Sequence, residues 1–428
     1  MNKFRQYLPS LSIKKLLLYF YAFYFFYQPN LTSINPYFKS SLILLLIDIV
    51  ILLYFRKELI NFIKSNSCAL MIVFLCLANA YTLLPTIIND INIRNNLTSI
   101  IFSKQVIALF GLILFLNKEY FTLESKMKFL INIGLIQSLS CFLMLVFPTI
   151  KNIANTLYIS NIPNYAESSL YGITLYRIYG ISGDYTFSTS IFMAILSSIS
   201  LILFYHLKEK KFLLFTIILI FSSLLNGRTG FIIFILVSLI STYFYVPKKK
   251  FIKYFIVFIM FLCMLLPIIS LLVGVEWLNW LLSSFTDIYA SIFNSDSSTT
   301  INRLFEFTFF PKNLYLIFGV GSRVFGDYGM NLINKMSDIG YINEIWRGGL
   351  IYMVLFYSGV AILIKITYKN ISNSFGHIPS KAFCTMFILY LFISNYKGEA
   401  LSGSSILMSF LYIALIFSHD KIRKKRID

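Results

Sequence analysis

Acidic side chains are scarce in this 428-residue chain: Asp and Glu number 18 against 37 Lys and Arg, and charged residues make up only 13% of it. A soluble domain carries about a quarter of its residues as charges, so this composition argues against a water-soluble fold. Histidine is nearly absent. The three present, His206, His377 and His419, all sit beside basic tracts, so any general base elsewhere in the chain must be a carboxylate. The five cysteines, Cys68, Cys76, Cys141, Cys263 and Cys384, are odd in number, lie in or beside apolar runs and show no metal-ligand spacing. They read as small lipid- or core-facing residues. No internal repeat is visible, which weakens a reading as a two-fold-repeat transporter.

What the chain has in abundance is apolar surface: 58% hydrophobic and 18% aromatic residues, with a mean hydropathy of +0.76. Its apolar runs approach the roughly 20 residues that an α-helix needs to cross about 30 Å of hydrocarbon. The pattern predicts an all-α polytopic membrane protein of about twelve transmembrane helices. The expected spans are Leu16–Ser33, Phe38–Phe55, Ala69–Ile87, Leu97–Leu116, Phe129–Phe147, Phe187–His206, Phe212–Leu225, Gly230–Val246, Tyr254–Val273, Gly348–Ile366, Ala382–Ser394 and Ser402–Ser418. The first is interrupted by Pro29 and the eleventh is broken by Asn395, Lys397 and Gly398, so each is expected to be tilted or partly re-entrant. The first run lacks a small-residue cleavage site and reads as a span, not a cleavable leader.

The net charge of +19 could suggest a nucleic-acid partner, but its distribution gives another cause. Of the 37 bases, 25 fall in seven tracts at every second connection: the N-terminus, Arg56 to Lys64, Lys118 to Lys128, Lys208 to Lys211, Lys248 to Lys253, Lys365 to Lys381 and the tail. This is the positive-inside pattern, with both termini cytoplasmic and no nucleic acid required. Two connections on the other side are long, residues 148–186 and 274–347, within one transmembrane domain spanning 1–428. Connections of that length usually carry function. In the larger one, Ser297 to Thr300 precede a run at helical spacing from Ile301 to Phe310, which predicts a short helix. The glycines of Phe318-Gly319-Val320-Gly321 fit a tight turn or the close approach of another backbone.

Twelve bases remain outside the tracts, and six of them are arginines: Arg94, Arg177, Arg228, Arg303, Arg323 and Arg347. Orientation bias should deplete them there. Each could snorkel to lipid phosphate; together they suit a planar, permanently charged grip on pyrophosphate. The same loops supply acids, among them Asp338 and Glu344. Asp338 is open to two readings, a carboxylate base or a cap for a helix beginning near Tyr341. Within the spans, Asp48 and Lys104 either pair with each other or with backbone, or form a proton or ion relay.

Four short motifs, in this order, resemble the Wzy O-antigen polymerases and more loosely the O-antigen ligases: Arg177-x-x-Gly180, Gly227-Arg228-Thr229-Gly230, Asn302-Arg303-Leu304 followed by Phe318-Gly319-Val320-Gly321, and Ser337 to Tyr341 running into Gly348-Gly349-Leu350. The resemblance implies a GT-C-like membrane fold with short helices in two long periplasmic loops, in a bacterial inner membrane. It implies a glycosyltransferase that moves a growing glycan from undecaprenyl diphosphate onto the non-reducing end of a lipid-linked repeat unit, with no cofactor or metal. Its partners would be those lipid-linked donors and acceptors, membrane lipids and a chain-length regulator. By the same resemblance Asp338, Arg177 and Arg228 are catalytic, and Arg303, Arg323, Tyr341 and Arg347 bind substrate. The ligases carry a His where Asp338 stands, which argues against ligase. A lipid-linked oligosaccharide flippase is the competing class.

Overall fold

The computed structural model describes residues 13–29, 40–63, 66–93, 98–120, 122–158, 174–183, 187–248, 250–253, 308–325, 332–398 and 406–416, with single positions between 256 and 283 and residue 329. Among them the chain is helical and has no strand. The helices are α1 (Ile13–Tyr27), α2 (Ser40–Tyr54), α3 (Arg56–Ile63), α4 (Asn66–Tyr81), α5 (Leu83–Ile88), α6 (Thr98–Glu119), α7 (Leu123–Val146) and α8 (Pro148–Tyr158). They continue with α9 (Phe187–Leu207), α10 (Lys210–Asn226), α11 (Arg228–Tyr245), α12 (Leu314–Phe318), α13 (Gly340–Phe375), α14 (His377–Lys397) and a last apolar helix, α15 (Ile406–Ile416). Among the described residues, six helical stretches are long and apolar enough to cross a membrane: Ala69–Ile88, Leu123–Val146, Phe187–Leu207, Arg228–Tyr245, Gly340–Phe375 and His377–Tyr396. The protein is an all-α, membrane-embedded one. The expected ninth span lies for the most part outside the described residues, as do Arg303 and the expected helix from Ile301 up to residue 307.

Helix α9 is the axis of the bundle. Every residue from Ser188 to Leu203 is buried, as befits a helix that is apolar all round. Its small hydroxyl residues let α10 approach closely and satisfy themselves on that helix's backbone. Ser200 donates to the Phe212 carbonyl (2.7 Å), Ser197 to that of Thr216 (2.9 Å) and Ser190 to that of Ser223 (3.0 Å). Peripheral helices instead turn apolar faces outward: Leu46, Val50 and Leu53 of α2 are 59%, 68% and 68% exposed. In a soluble protein such faces would be a liability; against lipid they are the expected surface.

The bundle has two distinguishable ends. At one, the His206 ring meets the Phe375 ring, Lys15 lies over Tyr120 and Lys128 over Phe212; the described parts of the tracts at 14–15, 118–128, 208–211 and 365–381 come together there. Lys126, read from sequence as part of an open basic connection, is in fact 1% exposed in the first turn of α7. The other end is built by the C-termini of α1, α10 and α14 and the N-termini of α9 and α13, because Gly183 N–H bonds the Tyr27 carbonyl and Ile178 N–H bonds that of Leu225. Asn395 does not break the eleventh expected span: α14 runs through it to Lys397.

Candidate functional site

At the second end, residues 177–183 form a strap over the helix termini. Tyr179 is fully buried, with its hydroxyl donating to Asn155 Oδ1 (2.5 Å) on α8 and its carbonyl accepting from Gln137 Nε2 (2.6 Å) on α7. Ser182 shares a hydrogen bond with Thr189 (2.8 Å) at the start of α9. Lys151 of α8 donates to the Leu175 carbonyl (2.6 Å), and burial pulls its ammonium pKa below the ordinary lysine value. Arg177 is half-buried at the start of this strap.

The Ile178 N–H to Leu225 bond ties the strap to the turn Asn226-Gly227-Arg228, so Arg177 and Arg228 come to one corner of the bundle. Gly227 and Gly230 allow that turn to lie on α9: a Cβ at Gly230 would stand 2.6 Å from the Ser190 carbonyl carbon. Ser190 closes the contact by donating to the Gly227 carbonyl (2.6 Å). Arg228 opens α11 and donates through one terminal nitrogen to Ser283 Oγ (2.7 Å).

At the same end of the bundle α13 is broken. As one straight helix its 36 residues would run about 54 Å, well beyond the hydrocarbon. Gly349, with φ 63° and ψ −165°, divides it after Gly348. The break exists because the segment 318–321 is pressed into it: a Cβ at Gly319 would lie 2.6 Å from the Gly348 Cα. Val320 N–H bonds the Trp346 carbonyl (2.7 Å) and Gly321 N–H that of Arg347 (3.1 Å). On its far side the same segment accepts from Thr86 Oγ1 at Gly321 (2.7 Å) and from Asn89 Nδ2 at Val320 (3.0 Å). The turn and close backbone approach expected of these glycines are what the fold uses.

Two charged residues are enclosed in the short half of α13. Arg347 is 0% exposed, its guanidinium 5.3 Å from the centre of the Tyr352 ring. Glu344 is 1% exposed; one oxygen accepts from Tyr357 Oη (3.0 Å) and the other from Asn395 Nδ2 of α14 (3.0 Å). The rings of Tyr341, Tyr357 and Phe392 stack in series, and Tyr341 Oη donates to the Phe392 carbonyl (2.8 Å). Asn343, fully buried, fixes the entry to the helix by binding Val324, Ser337 and Ile339 backbone. A second small core, Val324, Ile339, Ile342 and Trp346, covers this half-helix.

Of the residues expected to bind substrate, Arg347 is enclosed by the break and its clamp. Tyr341 is half-buried and Arg323, also half-buried, lies over Phe325 (5.7 Å). Asp338 is exposed and does not cap: the N-cap of α13 is Ile339, without a side-chain bond, and the carboxylate of Asp338 accepts no hydrogen bond among the described residues. The last eight residues of the segment 274–347 are helical and form the start of α13. Asp48 is fully buried and accepts from Tyr21 Oη, which also reaches the Ala108 carbonyl (2.8 Å); the side chain of Lys104 lies outside the described residues. Glu344, Asn395 and Tyr357 were not singled out as a group by sequence. No local spacing joins them, since Asn395 lies 51 residues from Glu344 and the pairing is tertiary.

No protein-family model, curated protein or solved structure matches the chain. What the structure itself defines is a class: an all-α membrane-embedded protein whose bundle carries, at one end, an arginine-bearing strap and turn and a broken helix with buried charges.

Proposed function

We propose that the chain is a membrane glycosyltransferase of the O-antigen polymerase type, with about twelve spans and a GT-C-like arrangement. It transfers a glycan from undecaprenyl diphosphate onto the non-reducing end of a lipid-linked repeat unit. The observation that carries this reading is the joining of Arg177 and Arg228 at one corner by the Ile178–Leu225 bond. Two guanidiniums there suit a diphosphate leaving group, whose developing charge they would neutralise in the transition state. Asp338, exposed at the entry to α13, is the base for the acceptor hydroxyl. Arg303 joins the diphosphate grip, and Tyr341 and Arg323 line the sugar path. The site faces the periplasm of a bacterial inner membrane in this reading, supported by positive-inside bias, since four of the basic tracts meet at the opposite end.

The test is the lipopolysaccharide ladder in cells carrying Arg177→Ala, Arg228→Ala or Asp338→Ala. Each is expected to cut polymer by about a hundredfold, the scale of losing one preorganised charge-stabilising group. Full-length ladders at normal protein levels would overturn the assignment. A flippase reading has one observation in its favour, the Tyr21–Asp48 pair buried between α1 and α2. It predicts that Asp48→Asn, and not Arg228→Ala, strands lipid-linked units on the cytoplasmic leaflet.

A further inference from the structure

The two ends of the Glu344 carboxylate join elements distant in sequence. Asn395 lies 51 residues further on, near the C-terminus of α14, and Tyr357 lies 13 residues on, in the long half of α13 beyond the break. Asn395 Nδ2 also approaches Tyr357 Oη (3.4 Å), so the three polar groups close a triangle in the bundle interior. Gly340, at the start of the short half, rests on the same residue: a Cβ there would stand 2.7 Å from Asn395 Cγ. On its other flank the N–H groups of Val320 and Gly321 bond the carbonyls of Trp346 and Arg347, and the Trp346 indole N–H bonds the Phe309 carbonyl (3.1 Å). Gly349 interrupts the helical ladder between the halves, so their relative setting is fixed by these lateral bonds instead of by helix continuity.

We propose that Glu344 is a positioning residue: its carboxylate, bound to Asn395 and Tyr357, latches the short half of α13 to α14 and thereby sets Tyr341 and the Asp338 entry loop against the arginine corner. This rests on the polymerase reading for its functional consequence but not for its geometry. A carboxylate with both oxygens engaged and 1% exposure is not placed to touch substrate. Its energetic weight is nonetheless large, because removing one member of a buried, charged hydrogen-bonded set leaves the others unsatisfied.

The test exploits the chemistry of the pair. Asn395→Asp sets two carboxylates face to face, and Glu344→Gln removes the charge; the double variant Glu344→Gln/Asn395→Asp restores one carboxylate and one amide with their places exchanged. Trp346 reports on the segment directly, being 8% exposed with its indole N–H on the Phe309 carbonyl (3.1 Å). The chain's other tryptophans, Trp277 and Trp280, are replaced by Phe so that Trp346 alone emits. Purified in detergent, Asn395→Asp is expected to red-shift Trp346 emission and raise its quenching by acrylamide, and to lower ladder polymer about tenfold or more, the scale of a lost hydrogen bond to a charged group. The double variant is expected to return both readouts toward wild type. Unchanged emission in Asn395→Asp overturns the latch. Emission restored in the double variant while polymer stays low also overturns it, showing that the carboxylate acts directly from position 344. If Arg228→Ala leaves the ladder intact as well, the polymerase reading fails while the emission series still decides the latch.

Discussion

At the scale of single residues, the chemistry depends on geometry that only particular side chains supply. Arg228→Lys keeps a positive charge at the head of α11 but loses the planar fork, so its ladder polymer should fall between those of wild type and Arg228→Ala. Equal activity of Lys and Arg there would argue that a point charge suffices. Glycine gives a sharper contrast. Gly376 and Gly349 have φ of 92° and 63°, a region that costs a side chain about 1–3 kcal/mol. A Cβ at Gly376 would meet open space, whereas one at Gly349 would stand 2.5 Å from the Gly319 nitrogen. Gly376→Ala should therefore lower the melting temperature in detergent modestly. Gly349→Ala should lower it more and weaken the clamp on segment 318–321, because backbone meeting backbone has no flexible atom to yield.

At the scale of elements, the seam of α9 with α10 and α11 is where packing is least forgiving. Gly230→Ala puts a carbon 2.6 Å from the Ser190 backbone, so the two helices must separate; a cost of about 1–3 kcal/mol is expected from such overpacking. Ser200→Ala, which only removes a bond to the Phe212 carbonyl, should cost about 1 kcal/mol; thermal unfolding of the two variants in one detergent compares them. Sequence made much of this architecture legible. The span expected at Phe187–His206 appears as Phe187–Leu207 because Lys208 and the strap bound a continuous apolar run. The Gly319/Gly321 close approach was readable because glycine has few other reasons to recur there. What was not readable is tertiary pairing. Asn395 looked like a break in an apolar run, yet its partner is a carboxylate 51 residues earlier, so the polar side chain is satisfied inside the bundle and the helix continues. A helix beginning near Tyr341 was legible, but Glu344 was visible only as one acid of the same segment, since nothing local says that the helix carries it inside the bundle. Lys126 was likewise absorbed into a basic tract by its neighbours in sequence, while the fold buries it.

At the scale of the whole molecule, the separation of charge between the two ends argues for one orientation, and it can be measured without any assumption about activity. The end holding Lys208, Lys210 and Lys211 with the neighbouring tracts is the one that insertion would retain in the cytoplasm, since Lys and Arg in short connections set topology. On that rule the end with the strap, the arginine corner and the broken helix would face outward. Lys211 and Lys335 are both exposed, one at each end. With the five native cysteines replaced, Lys335→Cys in intact spheroplasts should react with a membrane-impermeant maleimide, while Lys211→Cys should react only after the membrane is opened. The reverse pattern would put the arginine corner in the cytoplasm, where lipid-linked repeat units are assembled rather than joined, and the polymerase reading would fall with the orientation. Labelling at both positions in intact cells would mean that the charge separation does not govern insertion at all. The expected pattern would leave the helix break and its latch on the face where a diphosphate leaving group must be held, and the arginine and Glu344 variants would then test the chemistry on the correct side of the membrane.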